Sequence, residues 1–105
     1  MTTELYLQKA EILLAKGLEE KALESLLAAL DFQDDDIISK TQVRCFLGEY
    51  FFVHQRYTQA YEQFEWIVGR AEWLEQEYDD LLNEEIKKAD VLLGIMQKFG
   101  LRDEQ

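Results

Sequence analysis

Residues 43–68 contain two amphipathic segments joined by a short polar turn, and this stretch limits the possible folds most strongly. Its apolar side chains recur at intervals of three and four residues, as at Leu47 and Phe51 and again at Ala60 and Phe64. That spacing is typical of an α-helix with one buried face. A turn this short leaves the two helices no arrangement except as antiparallel neighbours. The stretch therefore predicts a helix hairpin.

The rest of the chain follows the same periodicity, and we predict one all-α domain over residues 1–105. The chain lacks proline and has only five glycines, so little in its composition interrupts a helix. Ser39, followed by Gln42 three residues later, is typical of a capping box that begins the third helix. About five helices are expected, from Thr3 to Lys16, Glu19 to Leu30, Ser39 to His54, Tyr57 to Tyr78, and Asp79 to Lys98.

An internal repeat with an offset of 38 residues supports the prediction of hairpins. Ala10 aligns with Gly48, Leu13 with Phe51, Ala22 with Ala60, and Leu26 with Phe64. The segment from Gly100 echoes the segment from Gly17, which suggests the first half of a third unit.

These small and large residues resemble the pattern of the tetratricopeptide repeat family. The resemblance implies one repeat at residues 3–36, a second at 39–74 and a C-terminal capping helix at 79–100, stacked as a short superhelix. Four positions depart from the family pattern: Tyr6 and Arg44 stand where a tryptophan is usual, and Asp34 and Glu72 stand where a closing proline is usual. A helical bundle that only mimics the repeat remains the alternative.

The family's ligand-binding groove is lined by its first helices, and this implies a partner-binding site here. The implied groove residues are Leu7, Glu11, Leu14, Cys45, Glu49 and Phe52. Such a groove is apolar and acidic, so it favours a partner segment with apolar anchors and basic residues. The same side chains could instead pack against the last helix. The implied function is a small protein–protein interaction module that acts as an adaptor or a chaperone.

The formal net charge of −11 narrows the classes of partner. A field of this sign repels nucleic acids and anionic membranes, so neither is expected as a partner. The single cysteine cannot form an intrachain disulfide, and the N-terminus lacks a signal-peptide pattern. We therefore expect a cytoplasmic protein.

Residue patterns for catalysis or metal binding are weak. The acidic loop presents Asp31, Gln33 and Asp35 at alternate positions, but Gln42 stands where a calcium loop needs a bidentate glutamate. Cys45 and His54 lie nine residues apart, a spacing that does not pair them on a helix. We expect no enzyme activity, no metal and no cofactor.

A second hypothesis is a self-associating structural subunit. Trp66 and Trp73 are seven residues apart and would share one face of a long fourth helix, with Tyr78 beyond them. Exposed aromatic side chains at the far end of that helix, together with the last helix, would form a homodimer interface.

Overall fold

Within residues 1–103 the fold is all-helical, as predicted, but it has six helices where about five were expected. The computed structural model describes residues 1–103, and in that range it contains no β-strand. The helices are α1 (Thr3–Ala15), α2 (Glu19–Asp31), α3 (Ile37–Val53), α4 (Tyr57–Val68), α5 (Ala71–Tyr78) and α6 (Asn83–Lys98). The chain packs as two compact units, Met1–Val43 and Arg44–Gln105, and the boundary between them lies within α3.

In the first unit, α1 and α2 pack against each other as a hairpin. The alanines predicted to allow close approach, Ala10 and Ala22, are both fully buried. Thr2 caps α1 by accepting a hydrogen bond from the backbone N–H of Leu5 at 3.1 Å. Thr3 is the first helical residue and is fully buried.

Three helices end in the same backbone motif. After α1, Gly17 has a φ of 76°, and the N–H of Leu18 donates to the carbonyl of Leu13 at 2.9 Å. This combination of a left-handed residue and a bond spanning five residues is the Schellman motif. The motif recurs after α3, where Gln55 has a φ of 60°, and after α6, where Gly100 has a φ of 59°. Gly17, Gln55 and Gly100 occupy equivalent positions in the repeat alignment, so the internal repeat extends to local backbone geometry.

Asp34 fastens the acidic loop to the beginning of α1. Its carboxylate accepts hydrogen bonds from the backbone N–H of Thr3 at 3.0 Å and from the hydroxyl of Thr3 at 2.7 Å. These two donors hold the pKa of Asp34 below its ordinary value of 3.8. The ammonium of Lys40 donates hydrogen bonds to the carbonyls of Leu30 and Phe32. A cationic side chain therefore binds the carbonyl groups at the C-terminal end of α2.

Asp34 should make the first unit sensitive to acid. Because the folded-state pKa of this carboxyl is lowered, its contribution is fully present above 3.8 and is lost as the pH falls through the folded-state pKa. We expect Asp34→Asn to lower the melting temperature at pH 7, with the difference from wild type shrinking as the pH falls below 3.8. Asp35→Asn is the matched control, because Asp35 is exposed. Equal melting temperatures for wild type and Asp34→Asn at pH 7 would contradict the assignment.

The predicted capping box at Ser39 is wrong, because α3 begins at Ile37 and Ser39 lies inside its first turn. The carboxylate of Asp36 accepts a hydrogen bond from the backbone N–H of Ser39 at 2.9 Å, which is the geometry of an N-terminal cap. The carboxylate also suits the positive end of the helix dipole. The earlier start brings Ile37 and Ile38 into the helix.

In the second unit, α3 approaches α4 closely at Gly48. The position that a Cβ atom would occupy at Gly48 lies 2.4 Å from Cε1 of Phe64, so only glycine fits there. Phe64 is fully buried, and so are Ala60 and Ile67 on the same helix. Helix α4 also packs against α6, whose buried residues are Ala89, Leu93 and Met96.

The prediction of one long helix from Tyr57 to Tyr78 is wrong, because α4 ends at Val68. The position of a Cβ atom at Gly69 lies 2.9 Å from the carbonyl oxygen of Glu65, so the backbone tightens here in a way that glycine permits. Arg70 then leaves helical geometry, and α5 begins at Ala71. This break accounts for the sixth helix. The last helix also begins later than expected, at Asn83, because a turn precedes it.

Candidate functional site

One face of α3 carries three of the predicted groove residues, at spacings of four and three residues. Cys45 is buried, with 4% of its surface exposed, whereas Glu49 and Phe52 are half-buried. The Cys45 thiol donates to Oε1 of Glu49 at 3.7 Å. The same oxygen accepts from Nζ of Lys88 at 3.3 Å, so Glu49 forms an ion pair between α3 and α6. This face therefore presents a carboxylate and an aromatic ring, while the sulfur remains inside.

An open cavity of about 550 Å³ lies beside the Glu49–Lys88 ion pair. Its charged rim consists of Glu49, Glu84, Lys87 and Lys88, and Val91 and Leu92 provide its apolar lining. We call this the α3/α6 pocket. Val91 is 52% exposed, so an apolar side chain of a partner can contact it without moving any helix.

Burial and the Glu49 charge determine the electrostatics of this site. Burial, followed by the neighbouring Glu49 carboxylate, raises the pKa of the Cys45 thiol to about 12. The charge of Glu49 raises the pKa of Lys88, and burial raises the pKa of Glu85. A thiol held protonated in this way is a poor nucleophile and a poor metal ligand.

Cys45 should react slowly with thiol reagents in the folded protein. Its pKa of about 12 leaves very little thiolate at pH 8, and burial blocks access to the sulfur. We expect iodoacetamide to modify it at least a hundredfold more slowly in buffer than in guanidinium chloride, as measured by intact mass against time. Glu49→Gln should raise the folded-state rate, because it removes the charge that opposes ionisation. Equal rates in buffer and in denaturant would contradict this account.

The remaining predicted groove residues lie on α1 in the first unit. Leu7 belongs to the core of that unit and is only 4% exposed, so its side chain offers no surface to a ligand. Glu11 is exposed and Leu14 is half-buried. On α1, the accessible candidates are therefore Glu11 and Leu14.

The aromatic residues predicted for a dimer interface do not share one helix face. Trp66 lies on α4, and its ring is covered by the guanidinium of Arg44 at 4.4 Å and that of Arg70 at 4.6 Å. Trp73 lies on α5, is 42% exposed and packs edge-on against Tyr78, with the ring centroids 6.1 Å apart. Trp66 is thus engaged by two arginines, whereas Trp73 retains free surface.

The outward side of α6 was not among the sites predicted from the sequence. Val91, Leu92 and Lys88, which line the pocket, were not selected as site residues. Three apolar residues at intervals of four, Val91, Ile95 and Phe99, were the available signal. They lie on the opposite side of the helix from the buried Ala89 and Leu93, and they are exposed.

Comparisons with protein-family models, with curated proteins and with solved structures found no match for this chain. Within residues 1–103, no helix combines the length and the apolar character needed to cross a membrane. In the same range, no three histidine, cysteine or acidic side chains lie together in a way that could hold a metal ion.

Proposed function

We propose that this protein is a small interaction module, an adaptor or chaperone, that binds a helix or peptide of a partner protein. The partner binds at the α3/α6 pocket and at the face of α3 that carries Glu49 and Phe52, which we call the outer face of α3. The observation that carries the proposal is the open cavity of about 550 Å³ lined by Val91 and Leu92. Pockets for ligands combine an apolar lining with a few polar groups at fixed positions, and the Glu49–Lys88 ion pair is such a group.

The partner segment in this proposal has apolar anchors and a basic flank. The charges at the pocket rim are balanced, since it has two acidic residues, Glu49 and Glu84, and two basic ones, Lys87 and Lys88. Selection by charge therefore comes from the field of the whole chain, whose net charge is −11. A field of this sign steers basic ligands towards the protein and repels acidic ones.

The stacked, tetratricopeptide-like arrangement belongs to the same proposal. Its support is the repeated Schellman motif and the close approach at Gly48, the position where that family has a small residue. Within the first unit, Glu11 and Leu14 on α1 remain candidate binding residues of this proposal, since both have accessible surface. A cytoplasmic location fits the single protonated cysteine, because thiols remain reduced in that compartment.

The proposal is tested with two fluorescein-labelled amphipathic peptides of equal length, one built from leucine and lysine and the other from leucine and glutamate. We expect fluorescence anisotropy to show binding of the leucine–lysine peptide and much weaker binding of the leucine–glutamate peptide. Val91→Gln should weaken the first interaction about tenfold, since burying one aliphatic side chain contributes about 1.5 kcal/mol.

Two further variants localise the site. Phe52→Gln should also weaken binding, because the outer face of α3 is part of the proposed surface. Leu27→Gln is the matched control, since Leu27 is 46% exposed and lies on α2, outside the pocket. Equal binding of the two peptides would overturn the proposal that the partner segment is basic. Undiminished binding of the leucine–lysine peptide by Val91→Gln would overturn the assignment of the α3/α6 pocket as the binding site.

A further inference from the structure

Helix α5 and the turn after it form an acidic surface with exposed apolar side chains. Five acidic residues and no basic residue occur between positions 72 and 80. Trp73 is 42% exposed, and Leu81, at the end of this stretch, is 62% exposed. We call the surface formed by Glu72, Trp73, Glu77, Asp80 and Leu81 the acidic patch. A tryptophan beside carboxylates is suited to a partner that is both apolar and cationic.

The C-terminal end of α6 has the complementary character. Residues 91–102 contain no acidic residue and two basic ones, Lys98 and Arg102. Phe99 is 66% exposed and Ile95 is 36% exposed, and Nζ of Lys98 lies 5.6 Å from the centre of the Phe99 ring. We call the surface formed by Ile95, Lys98, Phe99 and Arg102 the cationic patch. Such a patch is unusual in a chain with a net charge of −11.

We propose that the partner of the cationic patch is the acidic patch of a second copy of this chain. Opposite charge and exposed aromatic residues on both surfaces favour this pairing over one patch meeting itself. Both patches belong to the second unit. In the proposed dimer, each copy places its cationic patch on the acidic patch of the other, and such a reciprocal exchange has two-fold symmetry. Two equivalent contacts bury twice the area of one, which matters because small interfaces are weak.

A cavity beside Trp73 provides a place for the incoming aromatic ring. It is open, has a volume of about 530 Å³ and is lined by Gly69, Arg70, Glu72, Trp73 and Gln76. Arg70 does not repel the cationic patch strongly, because its guanidinium is engaged by the ring and the carbonyl of Trp66. Phe99 of the second copy would sit against Trp73, and its neighbour Lys98 would meet Glu77.

This dimer does not rest on the proposed partner binding. The α3/α6 pocket uses Val91 and Leu92 in the middle of α6, whereas the cationic patch begins at Ile95. Peptide binding and self-association can therefore succeed or fail separately. The proposed dimer is a self-associating subunit, as the sequence suggested, but its surface is different. Trp73 belongs to the interface, whereas Trp66 does not, because Arg44 and Arg70 cover its ring.

Sedimentation equilibrium of the full chain, from about 1 µM to 1 mM, tests the dimer. The expected mass rises from 12.4 kDa to twice that value, and the rise is suppressed in 1 M salt. Glu77→Lys and Lys98→Glu should each weaken dimerisation about tenfold, and the double variant in one chain should restore it. Both substitutions are at exposed residues, and circular dichroism verifies the fold.

The matched control is Glu24→Lys, which changes the net charge as Glu77→Lys does but lies on α2, at an exposed position of the first unit. It should not weaken the dimer. A monomer throughout the concentration range would overturn the proposal, as would a dimer that Glu77→Lys leaves unchanged. Failure of the double variant to restore dimerisation would overturn the pairing of these two patches, and masses beyond that of a dimer would overturn the reciprocal exchange.

Discussion

Gly48→Ala should reduce the free energy of unfolding by about 1–3 kcal/mol, the usual range for an overpacked core. The added methyl group would lie 2.4 Å from Cε1 and 2.7 Å from Cζ of Phe64, well inside van der Waals contact. Phe64 is fully buried, so its ring cannot move aside into solvent. Alanine favours a helix over glycine by roughly 1 kcal/mol, which offsets only part of this cost. Urea denaturation followed by circular dichroism measures the loss.

Gly94→Ala is the matched control, because it makes the same chemical change in the interior of another helix. A Cβ atom at Gly94 would have no neighbour within 4 Å, so only the gain in helix propensity remains. We expect it to raise the free energy of unfolding by up to about 1 kcal/mol. Combining Gly48→Ala with Phe64→Leu should cost less than the sum of the two single changes, because the smaller side chain relieves the clash. Similar stabilities for Gly48→Ala and Gly94→Ala would contradict the close packing of α3 and α4.

Leu74→Ala should cost about 2–5 kcal/mol, the range for leucine-to-alanine changes in protein cores. Leu74 is fully buried and is the only buried residue among those of α5. A helix of eight residues is unstable by itself in water, so α5 depends on packing of this side chain. We expect denaturation to show the loss, and hydrogen exchange in residues 71–78 to accelerate more than in α4 or α6.

Leu81→Ala gives the comparison for this prediction. Leu81 is the same residue type, lies just beyond α5 and is 62% exposed, so its truncation should change stability by less than about 0.5 kcal/mol. A loss below 1 kcal/mol for Leu74→Ala, or uniform acceleration of exchange across the second unit, would show that α5 is not held by this one anchor.

Short-range patterns predicted the individual helices well, because periodicity and end signals are properties of a few neighbouring residues. The first helix was expected to end at Lys16, and Gly17 directly after it adopts a left-handed conformation. Gln55 ends α3 in the same conformation, although glutamine gives no local signal for it. Its alignment with Gly17, 38 residues earlier, was the available signal for that position. The cap predicted at Ser39 is wrong because Asp36, three residues earlier, is an equally good N-cap residue. Its carboxylate accepts the hydrogen bond from the backbone N–H of Ser39, so the helix begins before Ser39.

The candidate site was only partly visible in the sequence. Glu49 and Phe52 were selected and have accessible surface, whereas Cys45 was selected from the same helix face and is buried. Helical spacing places these residues together, but it does not say how much of each one a neighbouring helix will cover. Lys88 was missed because its pairing with Glu49 joins residues 39 positions apart.

The sequence by itself determined that the chain is helical, with hairpin turns at defined places and an acidic surface. These properties follow from periodicity, from the lack of proline and from charge, which act locally or sum over the chain. The tertiary structure alone decided which apolar faces remain uncovered: Leu7 and Cys45 became core, and Val91, Trp73 and Phe99 stayed at the surface. It decided this because burial depends on the approach of distant segments, as at Gly48 and Phe64, where one missing methyl group sets the distance between two helices.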